Sequence, residues 1–154
     1  MIIDSHCHLT YEPMSNALKE TIDRANKDGI KYMLTISTVD KSFEQILKIV
    51  NGYESVYGTY GIHPHEAKSH QHIKSDDIIN KVNQNKKIIG IGETGLDFYY
   101  NHSEKKDQIY SFEEHISAAQ KKNLPLIVHT RSAEKETLQI LEKYSKKKDT
   151  KILI

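Results

Sequence analysis

The chain has 154 residues, 37% of them hydrophobic, and a formal charge of +1, which fits one folded domain with a real core and excludes a disordered tail. Near-neutral charge with scattered lysines excludes a broad electrostatic footprint for nucleic acid, so any contact with a polyanion has to be local. The single cysteine, Cys7, excludes an internal disulfide framework; with no cationic leader and no run of transmembrane length, the expectation is a soluble protein of a reducing compartment, the cytoplasm.

In chain order, short apolar runs alternate with helical patterns. The runs are Met1 to Asp4, Lys31 to Ile36, Val56 to Ile62, Ile88 to Gly92, Leu126 to His129 and Lys151 to Ile154. Each is nearly continuous in Ile, Val, Leu or Tyr, the pattern of strands buried in a parallel sheet. Between them, apolar residues recur at spacings of three and four: Leu18, Ile22 and Ala25; Phe43, Ile46, Leu47 and Val50; Ile109, Phe112, Ile116 and Ala119; Leu138, Leu141 and Tyr144. Such spacing predicts amphipathic helices with one face on the sheet. Gly29 marks the end of the first helix and Pro125 the start of a strand. The order is five βα units followed by a sixth strand, in one α/β domain over residues 1–154. A closed (β/α)₈ barrel needs eight strands, so the expectation is a partial TIM-type barrel, truncated on its C-terminal side; an open doubly wound sheet is the structural alternative.

In either architecture ligands sit at the carboxyl ends of the strands, and those ends are rich in metal-ligating groups. The first strand leads into His6 and His8. Residues two apart on a strand share a face, so two imidazoles so placed can grip one divalent ion. The third run leads into Gly61-Ile62-His63-Pro64-His65, the fourth into Glu93-Thr94-Gly95-Leu96-Asp97 and the fifth into His129-Thr130-Arg131. Asp97 is read equally as a loop-fixing carboxylate and as a substrate contact. His70, His72, His102 and His115 are placed in loops or on helix surfaces without a role, and Cys7, between the two histidines, is read as packing on the opposite face.

The segments Asp4-Ser5-His6-Cys7-His8-Leu9, Gly61-Ile62-His63-Pro64-His65, Ile91-Gly92-Glu93-Thr94-Gly95-Leu96-Asp97 and His129-Thr130-Arg131-Ser132-Ala133 resemble, in order, the motifs of the TatD family of metal-dependent deoxyribonucleases. The resemblance implies a distorted (β/α)₈ barrel, two divalent ions and hydrolysis of DNA phosphodiester bonds, often from a 3′ end. It implies His6 and His8 as ligands of the first ion, Glu93 as a carboxylate bridging both, and His129 as a ligand of the second. It implies His63 facing the scissile phosphate, and His65 and Arg131 contacting phosphate. Thr10 stands where the family often has Asp, and the second half of the family's barrel, with a later histidine ligand and a catalytic Asp, lies outside these residues. Imidazole and carboxylate ligands suit Zn²⁺, Mn²⁺ or Fe²⁺, with Mg²⁺ admissible when a substrate phosphate shares the site. The competing expectations are an amidohydrolase or aminoacyl-tRNA deacylase, and a non-catalytic fragment that self-associates through open sheet edges.

Overall fold

The computed structural model describes residues 1–100, 102–146 and 148–154. Strands β1 (Ile2–Cys7), β2 (Ile30–Thr35), β3 (Val56–Tyr60), β4 (Ile88–Asp97), β5 (Leu126–Arg131) and β6 (Ile152–Leu153) alternate with helices α1 (Leu18–Lys27), α2 (Phe43–Gly52), α3 (Ser75–Val82), α4 (Lys105–Lys122) and α5 (Glu134–Ser145). All five pairings are parallel and the spatial order is β1-β2-β3-β4-β5-β6. A doubly wound sheet reverses its order at a switch point. Here the order never reverses, and right-handed crossovers in one direction carry every helix to the same side. The sheet is therefore the wall of a partial (β/α)₈ barrel and not a doubly wound sheet; it is not closed, so β1 and β6 each have one neighbour.

The helices bury their apolar stripes on the outer face of this wall. Phe43, Ile46, Ile49 and Val50 of α2 and Phe112, Ile116, Ala118 and Ala119 of α4 are almost fully buried. Each large side chain among them stabilises the fold by roughly 1.5–3 kcal/mol. On the inner face, Ile3, Tyr32, Leu34, Tyr57 and Ile89 line an apolar hollow. The turn after α1 is made at Gly29, whose φ of +96° only glycine adopts without strain. The end of α4 uses Asn123 in the left-handed region, a cap that apolar spacing does not signal. Among the described residues no helix is long and apolar enough to cross a membrane.

Element bounds differ from expectation where hydrogen bonding, not apolarity, sets them. Strand β4 continues five residues past Gly92 because Thr94, Gly95, Leu96 and Asp97 stay in register with Val128, His129, Thr130 and Arg131 of β5, itself two residues longer than expected. A side chain at Gly95, where φ is +138°, would run into the His129 carbonyl, so glycine is what lets the two backbones approach there. Strand β1 likewise reaches Cys7, while β6 shrinks to two residues.

Candidate metal centre

The lengthened strands bring their polar ends to one edge of the wall. His6 lies within β1 and His8 just beyond it, where the chain is pinned by the Leu9 N–H donating to Thr35 Oγ1 (3.2 Å) and by a stack of His8 on Tyr11 (5.0 Å, 14°). Cys7 points away and donates its thiol to the Leu34 carbonyl; burial and Asp4 push it up to about 12, so it stays protonated. Glu93 sits inside β4, 8% exposed, its N–H donating to the Ser37 carbonyl.

The Glu93 carboxylate is divided between two sets of imidazoles. Oε2 faces His6 Nε2 at 3.6 Å and His8 Nε2 at 4.0 Å. Oε1 faces His129 Nδ1 at 3.2 Å, and that nitrogen lies 3.3 Å from His63 Nε2. Two groups thus form, His6–His8–Glu93 and His63–Glu93–His129, each with ligand atoms within 4.8 Å of one another. Bond lengths of about 2.0–2.1 Å in a tetrahedral site put neighbouring ligand atoms about 3.3 Å apart, close to these spacings.

Proton placement tests whether a cation fits. His63 Nδ1 accepts the His65 N–H (3.2 Å), so a neutral His63 carries its proton on Nε2, aimed at His129 Nδ1. If that nitrogen is bare to accept it, its lone pair opposes the Glu93 carboxylate; if it is protonated to serve Glu93, two N–H groups collide. No tautomer assignment satisfies all three atoms with Glu93 ionised; a cation taking the His129 Nδ1 lone pair and the Glu93 carboxylate relieves that opposition, and His63 joins as a ligand only if its proton moves to Nδ1 and the bond from the His65 N–H is given up. The donor set therefore fits a metal.

The surrounding electrostatics favour the coordinating form of His63, His8 and Glu93 and the protonated form of His129. Burial drives His63 down to about 4 against the opposing pull of Glu93, and burial also lowers His8. Burial alone would raise Glu93, but a hydrogen bond from His129 and the neighbouring histidines leave it below the usual carboxylate range. His129 is raised, chiefly by its bond to Glu93 and further by Asp97, whose Oδ2 meets its other nitrogen at 3.2 Å. Asp97 is the hub behind the site. Its Oδ2 also meets His65 Nε2 at 2.8 Å, and its Oδ1 accepts the N–H groups of Tyr99 and Tyr100. Burial raises this carboxyl, yet the Tyr100 N–H, His65, the Tyr99 N–H and His129 bring it down to about 2. Of the two readings of Asp97, fixing the loop is the one its contacts display.

The sequence-derived residues His6, His8, His63, His65, Glu93 and His129 all gather at this edge, and His8, Tyr11, Thr38, His63, His65 and Glu93 line a cleft there. His63, expected across from the phosphate, falls among the ligand atoms. Arg131 stands apart, its guanidinium over the rings of Tyr99 and Tyr100. His115 is a correction: expected on a helix surface, it is wholly buried in α4, accepting the Ile62 N–H on Nε2 (3.1 Å) and placing Nδ1 on the Ser111 carbonyl (2.7 Å). It anchors the residue before His63. Gln108, also unforeseen, clasps both backbone groups of Asp97 and the Ser103 carbonyl. A polar residue in the apolar spacing of Phe112 and Ile116 was the signal for His115; nothing local marked Gln108.

Compared with known proteins, residues 3–154 match the family described as TatD related DNase. The chain belongs to that family. A protein of Buchnera aphidicola subsp. Baizongia pistaciae named an uncharacterized metal-dependent hydrolase is 35% identical over 95% of this chain and 56% of its own length. The Salmonella typhimurium 3′-5′ ssDNA/RNA exonuclease TatD is 30% identical over 92% of this chain and 54% of its own. The crystal structure of the TatD homologue YjjV of Escherichia coli superposes with a TM-score of 0.86 at 24% identity, over 93% of this chain and 56% of that one, and shares the fold. The chain spans about half the length of the curated relatives it matches.

Proposed function

We propose that this chain carries the metal-binding half of a hydrolase that cleaves DNA phosphodiester bonds, working on single strands from the 3′ end with two divalent ions drawn from Mg²⁺, Mn²⁺ and Zn²⁺. The observation that carries the reading is the division of one buried carboxylate, Glu93, between two imidazole sets. His6, His8 and Glu93 would hold one ion, and Glu93, His129 and His63 the other. Bound there, such a pair lowers the pKa of water and stabilises the attacking and leaving oxygens of a phosphoryl centre.

The chain's own residues supply the rest. Asp97 orients His65 at the mouth of the cleft, where its ring would meet the phosphate of a bound strand. Arg131 offers guanidinium donors suited to a phosphate's paired oxygens. The name of the Salmonella relative supports nucleic acid as substrate.

The test is turnover of 3′- and 5′-labelled single-stranded DNA, beside small amide and ester substrates, by a version of the chain extended to a full barrel, with each metal and with Glu93→Gln as control. Shortening from the 3′ end that Glu93→Gln abolishes is expected. Turnover of amides or esters with DNA untouched would establish the amidohydrolase alternative, and metal binding without any turnover the non-catalytic one.

A further inference from the structure

The β4–α4 connection and the end of β5 build a second feature beside the cluster. The Arg131 guanidinium lies 4.5 Å from the Tyr99 ring centre and 4.6 Å from that of Tyr100. The two rings stand at 87° to one another, 4.8 Å apart, so the guanidinium fills the corner between them. His102 lies nearly parallel to Tyr100 (21°, 5.8 Å), and His65 turns a ring edge to both, at 4.6 Å from His102 and 5.6 Å from Tyr100. The backbone beneath is fixed, since Asp97 Oδ1 accepts the Tyr99 and Tyr100 N–H groups.

Three properties set this group apart from packing. Tyr99 is 60% exposed and Tyr100 41%, so two large rings on an anchored backbone present open surface. Among the described residues the Arg131 guanidinium has no carboxylate partner and no hydrogen bond, so its donors are unspent. And His65, which touches both Tyr100 and His102, is 4.4 Å from His63, so the rings begin within reach of the nucleotide next to a bond held at the cluster.

We propose that Tyr99 and Tyr100, with Arg131 between them, form a stacking platform for an unpaired nucleobase of a single DNA strand entering the metal cluster. The proposal rests on the nuclease reading for the strand's destination, and on the ring geometry for the contact itself. An aromatic face accepts any base, and a guanidinium locked against aromatic rings adds a donor for the adjoining phosphate. With a net charge of only +1, little non-specific attraction draws a strand to the chain, so a contact with the base itself adds what charge does not. Paired bases offer no free face, so the platform selects single strands.

Fluorescence anisotropy tests this, with a short labelled oligothymidylate and an abasic strand of equal length and charge, in chelator and again with Mn²⁺. The wild-type chain is expected to prefer the base-bearing strand by roughly five- to a hundredfold. Tyr99→Ala should lose that preference, weakening the base-bearing strand more than the abasic one, and Tyr99→Phe should keep it. Arg131→Gln should weaken both strands and reduce the salt slope by about one phosphate contact. Equal binding of the two strands by the wild type, or no binding of either, overturns the platform, as does a Tyr99→Ala protein that still discriminates. If Tyr99→Ala does not fold, Tyr99→Leu and the wild-type strand comparison decide. Base-dependent binding by this chain, with no cleavage under any metal by the version extended to a full barrel, would remove the nuclease reading and leave the platform; cleavage with no base dependence would do the reverse.

Discussion

The two imidazole sets around Glu93 stand on unlike ground. His63 and His129 come from the middle of the sheet, where β3, β4 and β5 are each paired on both sides and where Asp97, Gln108 and His115 brace the backbone. His6 and His8 come from β1, an edge strand, at 3.6 and 4.0 Å from the carboxylate, with His6 exposed over 39% of its side chain. A ligand set held by a network before any ion arrives loses little entropy on binding; a set on an edge must be ordered by the ion. If metal binds as proposed, the central set should therefore be the stronger site and the edge set the weaker one.

Glu93→Gln should erase the contrast altogether, since both sets lose their shared charged ligand. We expect hydrolysis to fall more than about a hundredfold, beyond the 10- to 100-fold typical of outer partners, and calorimetry with Mn²⁺ to show both sites gone. Zinc at a hundred times its Kd should stabilise the wild type by about 2.7 kcal/mol and leave this variant unmoved. A Glu93→Gln protein with unchanged metal stoichiometry would break the shared-carboxylate reading.

Acid should weaken the brace behind the central set. His115 is neutral in the fold, with its pKa driven by burial down to about 4, so acid protonates the unfolded chain first. Its contribution is full above about pH 6.5 and is lost as pH falls toward 4, by up to about 3 kcal/mol. Urea melts across that window should show the slope, and His115→Gln, which does not titrate, should flatten it.

Gln108→Ala removes three hydrogen bonds under Asp97 and should cost about 1–3 kcal/mol, with weaker metal binding at the central set and little change at the edge set. Equal weakening of both would mean that the bracing is not local.

The smallest effect on stability belongs to the edge. His6→Ala should shift unfolding by no more than about 0.5 kcal/mol while removing the weaker metal-binding step. At that edge the 154-residue chain should also associate with rising concentration, because β1 and β6 leave backbone groups unpaired and the inner face apolar. Sedimentation across a dilution series checks it, and a monomer throughout would show that the edges are protected.

The same contrast governs how much could be read from the sequence. Strand β2 and helix α2 announce themselves through runs such as Tyr32-Met33-Leu34 and spacings such as Phe43, Ile46 and Val50, because burial alone shapes them. The histidines at strand ends were legible because βα order fixes which ends meet. What stayed hidden was made by hydrogen bonds between distant residues. Nothing in Glu93-Thr94-Gly95 shows that β4 continues, since β5 supplies the reason. Helix α3 was implied only by the count of units, although Ile78, Ile79 and Val82 stand at helical spacing within its eight residues. The joining of His63 to His129 depends on a side-chain pointing that no spacing encodes.

The sequential strand order has a kinetic consequence. Each strand pairs only with its neighbours along the chain, as Met33 with Val56 and Ile91 with Leu126, so every closure is short in contour and the wall can grow one unit at a time. The edge set of ligands obeys the opposite rule. His6 meets Glu93 only after every intervening unit has docked, whereas Glu93 and His129 stand on paired neighbours. Metal uptake by the edge set in a stopped-flow refolding experiment would thus mark the end of assembly, lagging the fluorescence of the tyrosines that pack on the way.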